Sequence, residues 1–292
     1  MRYPAKVLLF GEYVVLVGAR ALSLPFERFG GEWAWSISSS SNFLRETLRE
    51  FARSRVLQQI PEIDVAAFQQ DVTKGLVFFS DIPMGYGLGS SGALCAAVYD
   101  RYASSKATEL TALQRVFAQM ESYFHGKSSG LDPLTSYTRR PILVQHGQPH
   151  FFEQRPWQLP PPQVFLLDTG QARQTGPFVQ EFLEKCRQQA FSAQIERELL
   201  PAHEALIDAW LAGRGEDIWP NLGVVSAFQW KHFQPMIPSR WRQPWAQALE
   251  NGEVLFKLCG AGGGGFLLIF GKEHSQVQKR AQNAPLIPVL TL

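Results

Sequence analysis

Only three cysteines occur in the 292 residues, Cys95, Cys186 and Cys259, and they are widely spaced. They form neither a disulfide framework nor a metal-ligand spacing, and their odd number favours a reducing compartment. Each reads as a small buried hydrophobe. Long apolar runs are missing too: none reaches the roughly 18 residues that span a bilayer. Met1–Lys6 leads straight into a strand-like run rather than a signal peptide. A cytoplasmic protein with no membrane partner is expected. Charge is scarce, at 18% of residues and a net +2, with the two signs intermixed. A nucleic-acid surface would gather Lys and Arg on one face, so no nucleic-acid partner is expected. His203 and His232 have no neighbour at metal-ligand spacing.

What is present is a globular composition, 45% hydrophobic, long enough for two ordinary domains without disulfides or a structural metal. Val7–Phe10 reads as a buried strand, with a second strand at Tyr13–Val17 after a turn. Trp33–Ser38 alternates like a half-buried strand, and Gly75–Phe79 is another short one. Helices are expected over Phe43–Leu57 and Ala93–Ser104. A further helix is opened by a capping box at Thr111–Gln114 and closed near Gly126. Pro156–Pro162 is the best linker. Beyond it lie strand Val164–Leu167, helices around Gly176–Ala190, Glu196–Ala212 and Trp241–Asn251, and strand Phe266–Phe270. The pattern predicts an α+β protein in two domains, 1–160 and 161–292.

The most informative segment is Pro83-Met84-Gly85-Tyr86-Gly87-Leu88-Gly89-Ser90-Ser91-Gly92-Ala93. A strand leads in and a helix leads out. Glycines let backbone N–H groups approach an anion, and the helix N-terminus adds unpaired donors and a positive dipole end. The Ser90 and Ser91 hydroxyls can add hydrogen bonds or hold a hydrated magnesium ion. No Lys-Ser or Lys-Thr follows the glycines, so this is not a Walker A loop. Taken alone, the loop could equally be a structural turn.

Together with two other segments it resembles the GHMP kinases. Pro4-Ala5-Lys6-Val7-Leu8-Leu9-Phe10-Gly11-Glu12-Tyr13 is similar to their first motif, Pro83–Ala93 to the second, and Lys257-Leu258-Cys259-Gly260-Ala261-Gly262-Gly263-Gly264-Gly265 to the third, in the right order. Within that superfamily, the run from Glu121 through Gly126 and Gly130 to Asp132 resembles the mevalonate kinases. So does Asp168-Thr169-Gly170 followed by Arg173 and Thr175.

The resemblance implies an N-terminal domain like ribosomal protein S5 domain 2 and a ferredoxin-like C-terminal domain, with the active site between them. It also implies ATP and Mg²⁺ as cofactors and transfer of phosphate to a hydroxyl of mevalonate, a step of isoprenoid synthesis. By this resemblance Asp132 is the base and Lys6 its cationic partner. Gly85, Gly87, Leu88, Gly89, Ser90, Ser91 and Gly92 hold the ATP phosphates, and Ser91 and Glu121 bind the metal. Glu12, Tyr13, Thr175, Gly262 and Gly263 face the substrate. Asp132 before Pro133 also suits a helix N-cap and first turn.

Ala5 and Tyr13 depart from the family, which usually has Gly and His there; Gly-Glu-Tyr is more like phosphomevalonate kinases. That rival acceptor would need cations beside Asp132, with Lys127, Arg139 and Arg140 as candidates. A non-catalytic nucleotide-binding relative is a third reading, disfavoured because Lys6, Ser91, Glu121 and Asp132 are all in place. The tryptophans within Trp210–Trp245 read as core packing, and any exposed apolar patch there would support a homodimer.

Overall fold

The computed structural model describes residues 1–35, 42–153, 155–157, 161–172 and 178–289. Two antiparallel sheets carry the described strands. The first contains β1 (Arg2–Phe10), β2 (Ala21–Trp35), β3 (Leu76–Ser80), β4 (Ile142–Gln145) and β5 (Gln148–Phe151). Its order is β1-β2-β4-β5, with β3 pairing the far end of β2. The second is ordered β7-β8-β6-β9, from β6 (Gln163–Asp168), β7 (Val254–Leu258), β8 (Phe266–Gly271) and β9 (Leu286–Pro288). No described strand passes from one sheet to the other, and the division at residue 160 stays our proposal.

Six described helices accompany the first sheet: α1 (Asn42–Arg53), α2 (Arg55–Gln58), α3 (Val65–Thr73), α4 (Ser90–Tyr102), α5 (Leu110–His125) and α6 (Leu131–Thr138). The second has α7 (Phe178–Cys186), α8 (Gln189–Gln194), α9 (Leu200–Leu211), α10 (Gly215–His232), α11 (Ser239–Asn251) and α12 (His274–Arg280). A π-helical turn, Ile195–Leu199, joins α8 to α9.

Helix α4 is alanine-rich and buried from Gly92 through Tyr99, so it presents no polar face. A helix that is apolar all round belongs in a core. It packs against β1 and α6, which brings the first motif, the second motif and Asp132 together. Phe10, at the end of β1, stacks with Phe270 of β8 and meets the Trp210 ring edge-on at 5.3 Å. The two sheets therefore share one continuous apolar interior. Trp210, Trp241 and Trp245 are fully buried, as packing residues should be.

Several local expectations are corrected. Tyr13–Val17 is not a strand: Val14–Val17 forms a 3₁₀ turn between Tyr13 (φ 66°) and Gly18 (φ 91°), and the second strand starts at Ala21. Two left-handed residues so close together cannot lie in an extended strand. The capping box at Thr111 does not form either. The cap of α5 is Glu109, and Thr111 donates its hydroxyl hydrogen to Gln148 Oε1 at 2.9 Å. Gln114 instead donates to the Ser129 carbonyl at 3.1 Å, pinning the loop that leads to Asp132. Helix α10 was not anticipated; it accommodates Pro220 within its length. The strand expected at Trp33–Ser38 is the end of β2 as far as Trp35; 36–38 lie outside the described residues.

Candidate active site

The second motif folds as a loop of left-handed glycines, Gly85 (φ 76°), Gly87 (φ 79°) and Gly89 (φ 74°), with Gly89 as the N-cap of α4. Leu88 is buried, and its carbonyl accepts the Lys6 backbone N–H at 3.0 Å, which ties the loop to β1. Ser90, Ser91 and Gly92 form the first turn of α4, so their N–H groups are among the helix's unpaired donors. The third motif lies directly on this loop. A Cβ on Gly265 would stand 2.7 Å from Tyr86 Cα, and one on Gly87 would stand 3.2 Å from the Cys259 carbonyl. Only glycine permits two backbones to come this close.

Lys6 and Asp132 meet beside the loop. Lys6 Nζ is 3.0 Å from Asp132 Oδ1, and a Cβ on Gly89 would lie 3.3 Å from Asp132 Oδ2. Burial alone would lower the Lys6 ammonium, but the Asp132 carboxylate outweighs it and holds Lys6 above its ordinary value. Asp132 stands in the first turn of α6 and is not its cap, which is Gly130. Its side chain is 31% exposed, so a substrate can reach it while the Lys6 side chain stays buried.

Glu121 is buried near the end of α5. Its Oε1 accepts the Ser91 hydroxyl at 3.1 Å, and its Oε2 accepts the Ser128 hydroxyl. Ser128 Oγ also accepts the Gly130 N–H at 2.9 Å, so one serine fixes both the carboxylate and the turn before Asp132. His125 Nε2 lies 3.0 Å from Ser91 Oγ. Burial, followed by the neighbouring Asp132 charge, lifts the Glu121 carboxyl to about 7. A buried carboxyl so shifted, with a serine hydroxyl beside it, suits a hard divalent cation shared with a ligand. Among the described residues no group of three or more His, Cys, Asp or Glu side chains could hold a metal alone.

Lys6, Ser91, Glu121 and Asp132 therefore converge as the resemblance implies, around one glycine loop. Other expected residues fare differently. Glu12 is 5% exposed, and its Oε2 accepts a hydrogen bond from Nζ of Lys257, a residue 0% exposed on β7. The Glu12 side chain, expected to hold a substrate hydroxyl, thus lies buried against a lysine. Burial raises the Glu12 carboxyl, and the Lys257 ammonium opposes that shift. Tyr13 is also buried; its hydroxyl donates to the Ala261 carbonyl at 2.5 Å and its ring packs on Phe182 and Phe233. Tyr13, expected to face the substrate, makes this bond within the protein.

Gly262 and Gly263 lie over the turn Gln234–Met236, with the Gly263 N–H donating to the Met236 carbonyl at 2.6 Å. Thr169 donates its hydroxyl hydrogen to the Gly265 carbonyl at 2.6 Å, so the Asp168-Thr169-Gly170 turn borders the third motif. Arg173 and Thr175 lie outside the described residues. A cavity of about 390 Å³ opens beside Ser90 and Ser91, walled by Leu48, Phe78, Met84, Leu94 and Phe124. Sequence reasoning missed it, along with Lys257 and Ser128. The clue for Lys257 was a lone charge within the apolar run Val254–Leu258, which must find a partner once buried.

Residues 43–139 match the family of the GHMP kinases N terminal domain. The chain is 24% identical to the mevalonate kinase of Pyrococcus horikoshii, over 99% of this chain and 93% of that protein. In fold it is similar to the mevalonate kinase of L. major solved with R-mevalonate (TM-score 0.65, 16% identity, 98% of this chain and 94% of that one). It is likewise similar to the Streptococcus pneumoniae phosphomevalonate kinase solved with phosphomevalonate and AMPPNP (TM-score 0.64, 16% identity, 99% and 98%).

Proposed function

We propose that the chain is a GHMP kinase and that it transfers the terminal phosphate of ATP to a hydroxyl of mevalonate. It is a phosphotransferase acting on an alcohol group. The observation that carries the reading is the Lys6–Asp132 pair, packed against a glycine loop whose first helical turn also reaches Glu121. Phosphoryl transfer asks a protein for positioning and charge compensation, and these groups supply both.

In this reading Asp132 accepts the proton of the acceptor hydroxyl as the new P–O bond forms and the bond to the leaving ADP breaks. Lys6 keeps the carboxylate aimed and offsets charge on the transferring group. The backbone N–H groups of Ser90, Ser91 and Gly92 bind phosphate oxygens at the start of α4. The apolar cavity beside them fits a nucleobase. Ser91 Oγ and the Glu121 carboxylate would hold Mg²⁺, whose charge draws electron density from the bridging phosphate oxygens.

A cation at Glu121 has to displace the proton that burial retains there. The Mg²⁺ concentration giving half-maximal activity should therefore rise about tenfold per pH unit below about 7, and flatten above it. Magnesium titrations at about pH 6 and about pH 8 check this, with Glu121→Gln expected to abolish the dependence. Equal values at both pH would remove Glu121 from the metal site.

An acidic acceptor needs a cation. Arg240 Nη1 comes within 4.0 Å of where a side chain on Gly170 would begin, and Arg240 has no carboxylate partner among the described residues. Of the three cations considered for a phosphorylated acceptor, Lys127, Arg139 and Arg140, the two arginines follow the C-terminal end of α6, whereas Asp132 is in its first turn. Arg140 lies over the Phe151 ring at 3.8 Å. That separation of about 10 Å along the helix takes both arginines away from Asp132 and leaves Lys127 alone of the three, which supports mevalonate over phosphomevalonate. ADP release measured with each acceptor separately tests the choice; turnover on phosphomevalonate alone would reverse it. Arg240→Met should raise KM for the acid acceptor about tenfold or more, the worth of one charged hydrogen bond. An unchanged KM would clear Arg240.

A further inference from the structure

Glu12 and Lys257 sit 245 positions apart in sequence and meet in the interior. Glu12 follows Gly11 at the end of β1, the strand that carries Lys6; Lys257, the first residue of the third motif, is on β7. Lys257 Nζ also donates to the Leu258 carbonyl at 2.9 Å, and the Leu258 N–H donates to Gln229 Oε1 of α10 at 2.9 Å. One residue further on, the Cys259 carbonyl presses on Gly87, and two beyond that the Ala261 carbonyl accepts the Tyr13 hydroxyl. The start of the third motif is thus held on both flanks by the dipeptide Glu12-Tyr13.

The second oxygen of Glu12, Oε1, is buried and has no partner among the described residues. Glu12 lines a small cavity of about 10 Å³ together with Phe10, Leu199, His203, Gln229 and Lys257. That space admits at most one water and no acceptor molecule. The Tyr13 backbone is held at φ 66° and ψ −47°, a strained conformation for a non-glycine residue. Such strain persists only where surrounding contacts impose it.

We infer that Glu12 and Lys257 are positioning residues: their buried ion pair locks the third glycine loop onto the phosphate loop, and neither touches the acceptor. The inference deepens the kinase reading and rests on it. Removing one partner strands a buried charge, while replacing both by apolar groups of similar volume is tolerated. Glu12→Gln and Lys257→Met should therefore give the same phenotype. Each should lower kcat and raise KM for ATP by about tenfold or more, with acceptor KM held within about twofold. The combination Glu12→Gln/Lys257→Met should be no worse than either alone, because residues acting as one unit are not additive.

The pair Glu12→Leu/Lys257→Met keeps the fold testable if a single variant fails to fold, and it should recover a part of the lost kcat. Calorimetry of ADP binding without acceptor gives a second readout, weakened in both single variants and restored in the apolar pair. A selective rise of acceptor KM in Glu12→Gln, absent from Lys257→Met, would return Glu12 to the acceptor site and overturn the inference. So would additive losses, or unaltered ADP affinity in both singles. Failure of the kinase reading itself is distinct: the unmodified protein would then release no ADP with any acceptor, while the ADP-binding comparison would still decide the role of the pair.

Discussion

Asp132→Asn should lower kcat by at least ~10²-fold while KM for ATP moves only a few-fold. An amide cannot take the proton that leaves the acceptor hydroxyl, so the loss falls on the chemical step. The nucleotide site is untouched, because its contacts come from the loop before α4 and from the first turn of that helix. The same substitution has a second consequence. Lys6 is buried and has its carboxylate partner in Asp132, so the variant leaves an ammonium without its counter-charge. Breaking a fully buried pair costs about 3–5 kcal/mol, and the exposed flank of Asp132 places this case toward the lower end. Single-turnover assays read the chemical loss and thermal melts read the stability loss. Lys6→Met on top of Asp132→Asn should regain melting temperature without regaining rate. Unchanged turnover in Asp132→Asn would remove it as the base.

What the sequence disclosed was local. Glycine loops, a strand running into a helix and the spacing from Glu121 to Asp132 are short-range features. The glycine loops were legible because backbone geometry requires particular residues at fixed offsets, and the Glu121–Asp132 spacing because it resembles that of the mevalonate kinases. The resemblance to the GHMP kinases then implied that Lys6, Ser91, Glu121 and Asp132 would meet, and they do. The partner of Glu12 was not legible, since nothing in a run of residues near position 12 points to one near position 257. Only the burial of both explains why they must pair. Tyr13–Val17 misled for a related reason. Its valines have strand propensity, but packing against Phe182 and Phe233 and the bond to Ala261 hold Tyr13 in a turn. The Thr111 hydroxyl was drawn from its expected capping role by Gln148 of β5, a neighbour supplied by the sheet.

Gly92→Ala should reduce kcat about 10²-fold although alanine is the better helix former by about 1 kcal/mol. Gly92 is the third residue of α4 and is buried where that helix crosses α6. A Cβ there would stand 2.8 Å from Pro133 N and 2.9 Å from both Asp132 C and Asp132 Cβ. None of these atoms is the end of a flexible side chain. The backbone of α6 must retreat, and Asp132 retreats with it from Lys6 and from the phosphate loop. A displacement approaching 1 Å at a reacting group is enough for a loss of that size. Gly223→Ala in α10 is the matched control, because nothing lies within 4 Å of its Cβ position. It should raise the melting temperature and leave kcat unchanged. Full activity in Gly92→Ala, with a melting temperature raised like that of the control, would show that the spacing of α4 and α6 does not set the position of the carboxylate.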